Sequence, residues 1–140
     1  MKKQVELIAM HRIVNELDRR TAAIARKYGL TLPQFAVLEA LYHKGDLSVG
    51  ELKESVLSTD GTIPVVTRHL KQQGLIVGTT DSKDRRRTIM TLTDKGRALI
   101  AKVYPENEAM LDAIFGKWNH EERKAVLRLL SLLELGLRRK

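Results

Sequence analysis

The segment LIVGTTDSKDRRRTIMTLTDKG, residues 75–96, breaks the period of the chain around it. Residues 75–80 and 87–93 are rich in β-branched side chains, which suit a pleated backbone. Between them DSKDRR, residues 81–86, is a polar, turn-forming stretch, so the three pieces predict a β-hairpin. Arg85, Arg86 and Arg87 lie together at its tip. Adjacent guanidinium groups repel one another, and a hairpin tip carries its side chains away from the core. On these residues alone two readings stay open: a surface turn solvating its charge, or a tip built to meet an anion.

Upstream the period is helical. Leu7, Met10, Val14, Leu17, Thr21, Ile24 and Tyr28 recur at alternating steps of three and four, an a/d seam with one polar break at Thr21. It predicts a helix over 5–28, stopped at Gly29. The seam could pack within the chain or against a second copy. Thr31 with Gln34, and Ser48 with Glu51, have the spacing of capping boxes. They predict a helix over 32–45 and a short one from Ser48. A third begins at Asp60, Gly61 or Thr62, with Pro64 in its first turn, and ends at Gly74. Downstream of the hairpin, Thr93 is suited to cap a long helix with a kink at Pro105. Asn119 and Glu122 cap a last one. That final helix carries Val126, Leu129, Leu130, Leu133 and Leu137 as a stripe, with Leu127, Leu132 and Leu135 off it. A helix apolar on more than one side needs a partner, and the N-terminal helix of a second subunit would serve.

Composition narrows the function classes. The chain has 140 residues with a formal charge of +8 and a sequence pI near 9.9. That excess points to nucleic acid or another anionic surface. Aromatic residues make up only 4%, so aliphatic helix packing is expected. Without cysteine there are no disulfides, no thiol redox chemistry and no cysteine-bound zinc. No apolar run approaches the ~18 residues of a membrane span, and a cytoplasmic location is the expectation. His11, His43, His69 and His120 are scattered with no i, i+4 pair, so no metal site is expected. Neither a nucleophile–base pair nor a glycine-rich phosphate loop is present, so no catalytic residues and no cofactor are expected.

Three helices, a hairpin and further helices are the order of a winged helix. Within it, DSKDRRRTIMTLTDKG resembles the wing of MarR-family transcriptional regulators. Asp81, Asp84, Arg85, Arg86, Leu92, Thr93 and Gly96 fall in register with that family's pattern. HLKQQGLI, residues 69–76, is similar to the end of its recognition helix. Ser82 stands where the family commonly has proline, and Pro64 is unusual in a recognition helix. The resemblance implies a mostly α fold with a small β-hairpin wing: an N-terminal dimerisation helix over 1–30, a winged helix-turn-helix core over 31–100, and C-terminal dimerisation helices over 101–140. It implies a sequence-specific DNA-binding regulator, most often a repressor, acting as a homodimer on a pseudo-palindromic, double-stranded operator. A small aromatic or phenolic effector would sit near residues 7–17, Phe35, Tyr42 and the start of the long helix.

The periodicity of 61–73 turns Ile63, Val66, Thr67 and Leu70 inward and leaves Thr62, Pro64, Val65, Arg68, His69 and Gln72 facing out. Arginine can read guanine and glutamine adenine, while Pro64 and Val65 offer apolar contacts to thymine methyls. Lys53 and Lys71 suit phosphates. At the wing, Asp84, Arg85, Arg86 and Arg87 complete the expected DNA-binding set. The resemblance implies that an Asp84–Arg86 pair stiffens the turn so that a neighbouring arginine enters the minor groove, where negative potential concentrates. The competing class is a winged helix that binds protein or contacts RNA. That alternative does not require positive charge at both wing tip and recognition face.

Overall fold

Two capping boxes organise the first half of the chain. In the computed structural model, which describes residues 4–56 and 62–138, Thr31 Oγ1 accepts the Gln34 N–H at 3.2 Å and the Gln34 side chain accepts the Thr31 N–H at 3.0 Å. Ser48 and Glu51 make the same exchange at 3.1 and 2.9 Å. Each box satisfies backbone donors that a helix start leaves open. They begin α2 (Leu32–Lys44) and α3 (Val49–Ser55), which follow the long α1 (Gln4–Arg26). Next comes α4 (Thr62–Gln72); the start signals expected at Asp60 and Gly61 lie outside the described residues.

The hairpin forms as the period change predicts. β2 (Ile76–Thr80) pairs antiparallel with β3 (Thr88–Leu92), from Ile76 opposite Leu92 to Thr80 opposite Thr88. A third strand, β1 (Leu47–Ser48), joins the other side of β3, with Leu47 opposite Met90 and Ser48 opposite Ile89. Two residues carry no alternation to read, so this strand has no signature in the sequence. Then come α5 (Asp94–Phe115) and α6 (His120–Arg138). The helical run of α5 continues past Pro105 to Phe115. Asn119 and Glu122 exchange cap hydrogen bonds at 2.9 and 2.8 Å at the start of α6.

The chain divides into two compact units, Met1–Asn107 and Glu108–Lys140. In the first, Val37, Leu38 and Leu41 of α2 pack with Leu52, Ile63, Leu70, Ile76, Met90, Ile100 and Val103 into a nearly water-free aliphatic core. Helices α2 to α4 with the three-stranded sheet form a winged helix-turn-helix. In the second unit α6 buries none of its residues.

The heptad seam of α1 is divided. Toward its C-terminal end, Thr21 and Ala25 are buried and Ile24 and Tyr28 pack on the core. Thr21 Oγ1 donates to Asn107 Oδ1 at 2.8 Å, so the seam's polar break meets a partner in its own chain. Lys27 pairs with Glu106, and Tyr28 donates to the same carboxylate at 3.1 Å. Leu7, Met10 and Val14 remain exposed.

One glycine is fixed by contact. Thr93 N–H donates to the Leu75 carbonyl at 3.1 Å and Thr93 Oγ1 to that of Gly74 at 2.7 Å. Gly96 N–H donates back to Thr93 Oγ1 at 3.0 Å. This draws the first turn of α5 so close that a Cβ at Gly96 would lie 2.0 Å from the Leu75 oxygen. Backbone cannot yield as a side-chain tip can. Gly96→Ala is therefore expected to lower unfolding free energy by about 1–3 kcal/mol, the usual cost of overpacking, measured by urea denaturation. An unchanged midpoint would contradict the close approach.

Candidate nucleic-acid interface

Helix α4 separates its faces cleanly. Ile63, Val66, Thr67 and Leu70 are buried, and Thr67 Oγ1 donates to the Pro64 carbonyl at 3.1 Å. Pro64, Val65, Arg68, His69 and Gln72 are exposed and Thr62 is partly so. Pro64 sits in the first turn, where its missing N–H removes no intrahelical hydrogen bond. The outward face is thus the one expected from the sequence. Lys71 is also exposed, but its side chain lies against β2: a Cβ at Gly78 would meet Lys71 Nζ and Cε, each at 3.1 Å. Lys95 Nζ donates to the Gln73 carbonyl at 2.9 Å, placing a cation where the dipole of α4 favours one.

The turn between β2 and β3 is built from two aspartates. Asp81 Oδ1 accepts the Lys83 N–H at 3.0 Å, and Asp84 Oδ1 accepts the Arg86 N–H at 3.1 Å. Each side chain stands in for a turn carbonyl two residues before its donor. The backbone closes around them, Asp81 N–H to the Arg87 carbonyl and Arg87 N–H to the Asp84 carbonyl, both at 3.0 Å.

The three arginines have different surroundings. Arg86 Nε and Nη2 meet the two oxygens of Asp84 at 3.1 and 3.2 Å, the pair that the resemblance implies. Hydrogen bonds from the Arg86 side chain, then from its backbone, hold the Asp84 carboxyl below its ordinary value. Arg86 is nevertheless 91% exposed. Arg87 donates from Nη2 to Glu51 Oε1 at 3.1 Å and places Nη1 3.5 Å from Asp81 Oδ2. The Glu51 carboxyl is also held low, first by the Ser48 backbone N–H and to a smaller extent by Arg87. Arg85 is exposed and makes no hydrogen bond or ion pair with any described residue. Sequence reasoning placed Glu51 only as a cap and assigned Asp81 no role at the arginines. The Glu51 partnership has no local signature, since Glu51 and Arg87 are 36 positions apart; that of Asp81 runs across the turn, between its first residue and Arg87.

Wing and helix thus form a basic, outward-facing pair, and the chain resembles known proteins in sequence and fold. Residues 19–103 match the family model for the transcriptional regulator SarA/Rot. The HTH-type transcriptional regulator MhqR of Bacillus subtilis (strain 168) is 30% identical over 129 residues, 92% of this chain and 89% of its own. Among solved structures, BpsR of Bordetella bronchiseptica, whose DNA binding is regulated by 6-hydroxynicotinic acid, aligns with TM-score 0.69 and 30% identity over 90% of this chain and 98% of that one. MepR of S. aureus, in complex with DNA, has the same fold at TM-score 0.82 and 21% identity, over 99% of this chain and all of its own. Further structures of this fold are described as MarR family regulators.

The chain belongs to the MarR family of transcriptional regulators. Its relatives are regulators of transcription. Among the described residues, no helix is long and apolar enough to cross a membrane, and no group of three or more His, Asp or Glu is placed to hold a metal ion.

This MarR-family chain also has a cleft of about 250 Å³ in its first unit, bordered by Asp18, Thr21, Phe35, Glu39, His43 and Asn107 among others. It lies further along α1 than the stretch 7–17 expected beside an effector, and reaches the middle of α5 rather than its start. His43 Nδ1 is 3.0 Å from the Glu39 carbonyl, and its ring lies 4.3 Å from that of Tyr104. Burial pushes the Glu39 carboxyl above its ordinary value of 4.5, against a smaller opposing pull from His43. The folded state therefore keeps this proton to higher pH than the unfolded chain does. Stability falls as pH rises from the ordinary value through the raised one. Glu39→Gln is expected to raise the melting temperature near neutral pH and to leave it unchanged well below 4.5. A melting temperature equally raised at both pH values would exclude charge burial as the cause.

Proposed function

We propose that this MarR-family regulator is a repressor that binds a pseudo-palindromic operator as a homodimer and is released by a small aromatic ligand. The observation that carries the reading is the coincidence of positive charge at both DNA-facing positions. Arg68 and Lys71 are exposed on α4, and Arg85 and Arg86 at the wing tip. A winged helix serving a protein partner needs no such pairing. In the proposed complex α4 enters a major groove, with Thr62, Pro64, Val65 and Arg68 nearest the bases and His69 and Gln72 further along. Arg85, without a carboxylate partner among the described residues, enters the adjoining minor groove, while Asp84 and Arg86 hold the turn.

The dimer is supported by apolar surface. Seven leucines of α6, from Leu127 to Leu137, are 41–83% exposed, and Val5, Leu7, Ile8, Met10, Ile13 and Val14 of α1 are exposed as well. Burying one such side chain is worth about 1.5–3 kcal/mol. Covering most of them offsets the roughly 4–15 kcal/mol that association costs. A second copy presents the same surfaces and closes them by two-fold symmetry. The effector reading is supported by the cleft: an apolar cavity of about 150 Å³ holds benzene, so a single substituted ring fits. Asp18 and Glu39 could accept a hydrogen bond from a phenolic hydroxyl, and BpsR's ligand is of that size class.

The first test is selection of duplexes from a random pool, expected to yield inverted repeats with half-site centres ~10 bp apart. On the selected operator Arg68→Ala is expected to cost about 1–3 kcal/mol, with little loss on random DNA. Equal losses on both would mean that Arg68 does not read bases, and a pool without sequence enrichment would sink the operator. The second test is sedimentation. The unmodified chain is expected to be a dimer at micromolar concentration, and the double change Leu129→Glu, Leu133→Glu a folded monomer. A monomeric unmodified chain would contradict the assembly.

A further inference from the structure

The wing projects beyond its support. β1 accompanies β3 only at Met90 and Ile89, so from Thr88 outward β2 and β3 pair with each other and have no third strand beside them. A two-stranded ribbon on its own is marginally stable in water. Where β1 stops, the chain turns directly into α3, and Glu51 lies in its first turn facing Arg87. The Arg87 guanidinium touches two elements at once: Glu51 of α3 at 3.1 Å and Asp81, at the far strand's end of the turn, at 3.5 Å. Asp81 is itself tied to Arg87 through the backbone, N–H to carbonyl, at 3.0 Å. Glu51 in turn is fixed by its cap bond to Ser48 N–H at 2.9 Å. The side chain of Arg87 is half as exposed as that of Arg86, 45% against 91%.

We propose that Glu51, Arg87 and Asp81 form a strut that sets the wing's position relative to the helix-turn-helix, making Arg87 a positioning residue for Arg85 rather than a DNA contact. This takes Arg87 out of the set expected to touch DNA. The strut attaches the base of the turn to α3, the helix preceding α4, so wing tip and recognition helix share one frame. A single exposed ion pair contributes little to global stability. Its effect is local, on the outer part of the ribbon, where no third strand runs beside β3. The DNA consequence rests on the function proposed above; the mechanical one does not.

Glu51→Gln separates the two. Glutamine keeps an oxygen for the Ser48 N–H, so the α3 cap survives, while the charge facing Arg87 is lost. Hydrogen exchange at the Asp81 and Arg87 amides is expected to quicken about twofold to fivefold, the range an exposed pair supports, with α2 unchanged. Unaltered exchange would overturn the strut, whether or not the protein binds DNA. On a duplex selected by the unmodified protein, Glu51→Gln is expected to weaken binding by a similar factor, and adding Arg87→Gln to weaken it little further. The dependence of log affinity on log salt should keep its slope, because no phosphate contact is lost. Simple electrostatics demands the opposite sign, since removing a carboxylate near a polyanion strengthens binding. Tighter binding, or a slope reduced by about one in the double variant, would make Arg87 a phosphate contact and overturn the proposal. If the unmodified chain selects no duplex, the operator reading fails and the exchange rates alone decide the strut.

Discussion

The carbonyl of Leu75 is the point on which the winged helix closes. It sits between the end of α4 and the first residue of β2, and it accepts the Thr93 N–H just where β3 gives way to α5. Four elements therefore meet at one peptide group. Gly96 allows α5 to lie directly against that oxygen. Hydrophobic burial alone is non-directional and would hold these elements at many relative angles. The hydrogen bond and the missing Cβ select one of them. The orientation of α4's outer face and the exit direction of the hairpin both follow from it.

Beyond this junction the chain controls a basic surface by spending acidic residues on geometry. Asp81, Asp84 and Glu51 each accept at least one backbone N–H and also face an arginine. The backbone bond fixes where the carboxylate is, and the carboxylate fixes where the guanidinium is. Repulsion within the triplet is thereby distributed: Arg86 and Arg87 are compensated, and Arg85 is left to solvent. The net charge of +8 is a property of the whole chain. Its arrangement at the wing depends on these few negative side chains.

Features governed by near neighbours were legible in the sequence. The boxes at Thr31 and Ser48, the inward residues of α4, the hairpin and the Asp84–Arg86 pair all span five positions or fewer, or follow a simple period. What escaped depends on contacts between distant segments. β1 is a strand only because β3 lies beside it. The partners of Arg87 come from α3 and from across the turn. The α1 seam reads as continuous, yet Asn107 and the core take its later part and leave Leu7, Met10 and Val14 uncovered. The cleft likewise draws its walls from α1, α2, the end of α3 and α5, and no local pattern encodes its shape.

The hydrogen bond between Thr21 and Asn107 has a consequence for how α1 is held lengthwise. Smooth aliphatic surfaces tolerate sliding, because one methyl group replaces another at small cost. A buried hydroxyl and amide do not, since parting them strands two polar groups away from water at about 1–3 kcal/mol each. Displacing α1 by a single turn would break this bond and carry Lys27 and Tyr28 away from Glu106. The pair thus acts as a detent: it fixes the axial register of α1 on α5, and with it the distance by which the exposed end of α1 extends beyond the core.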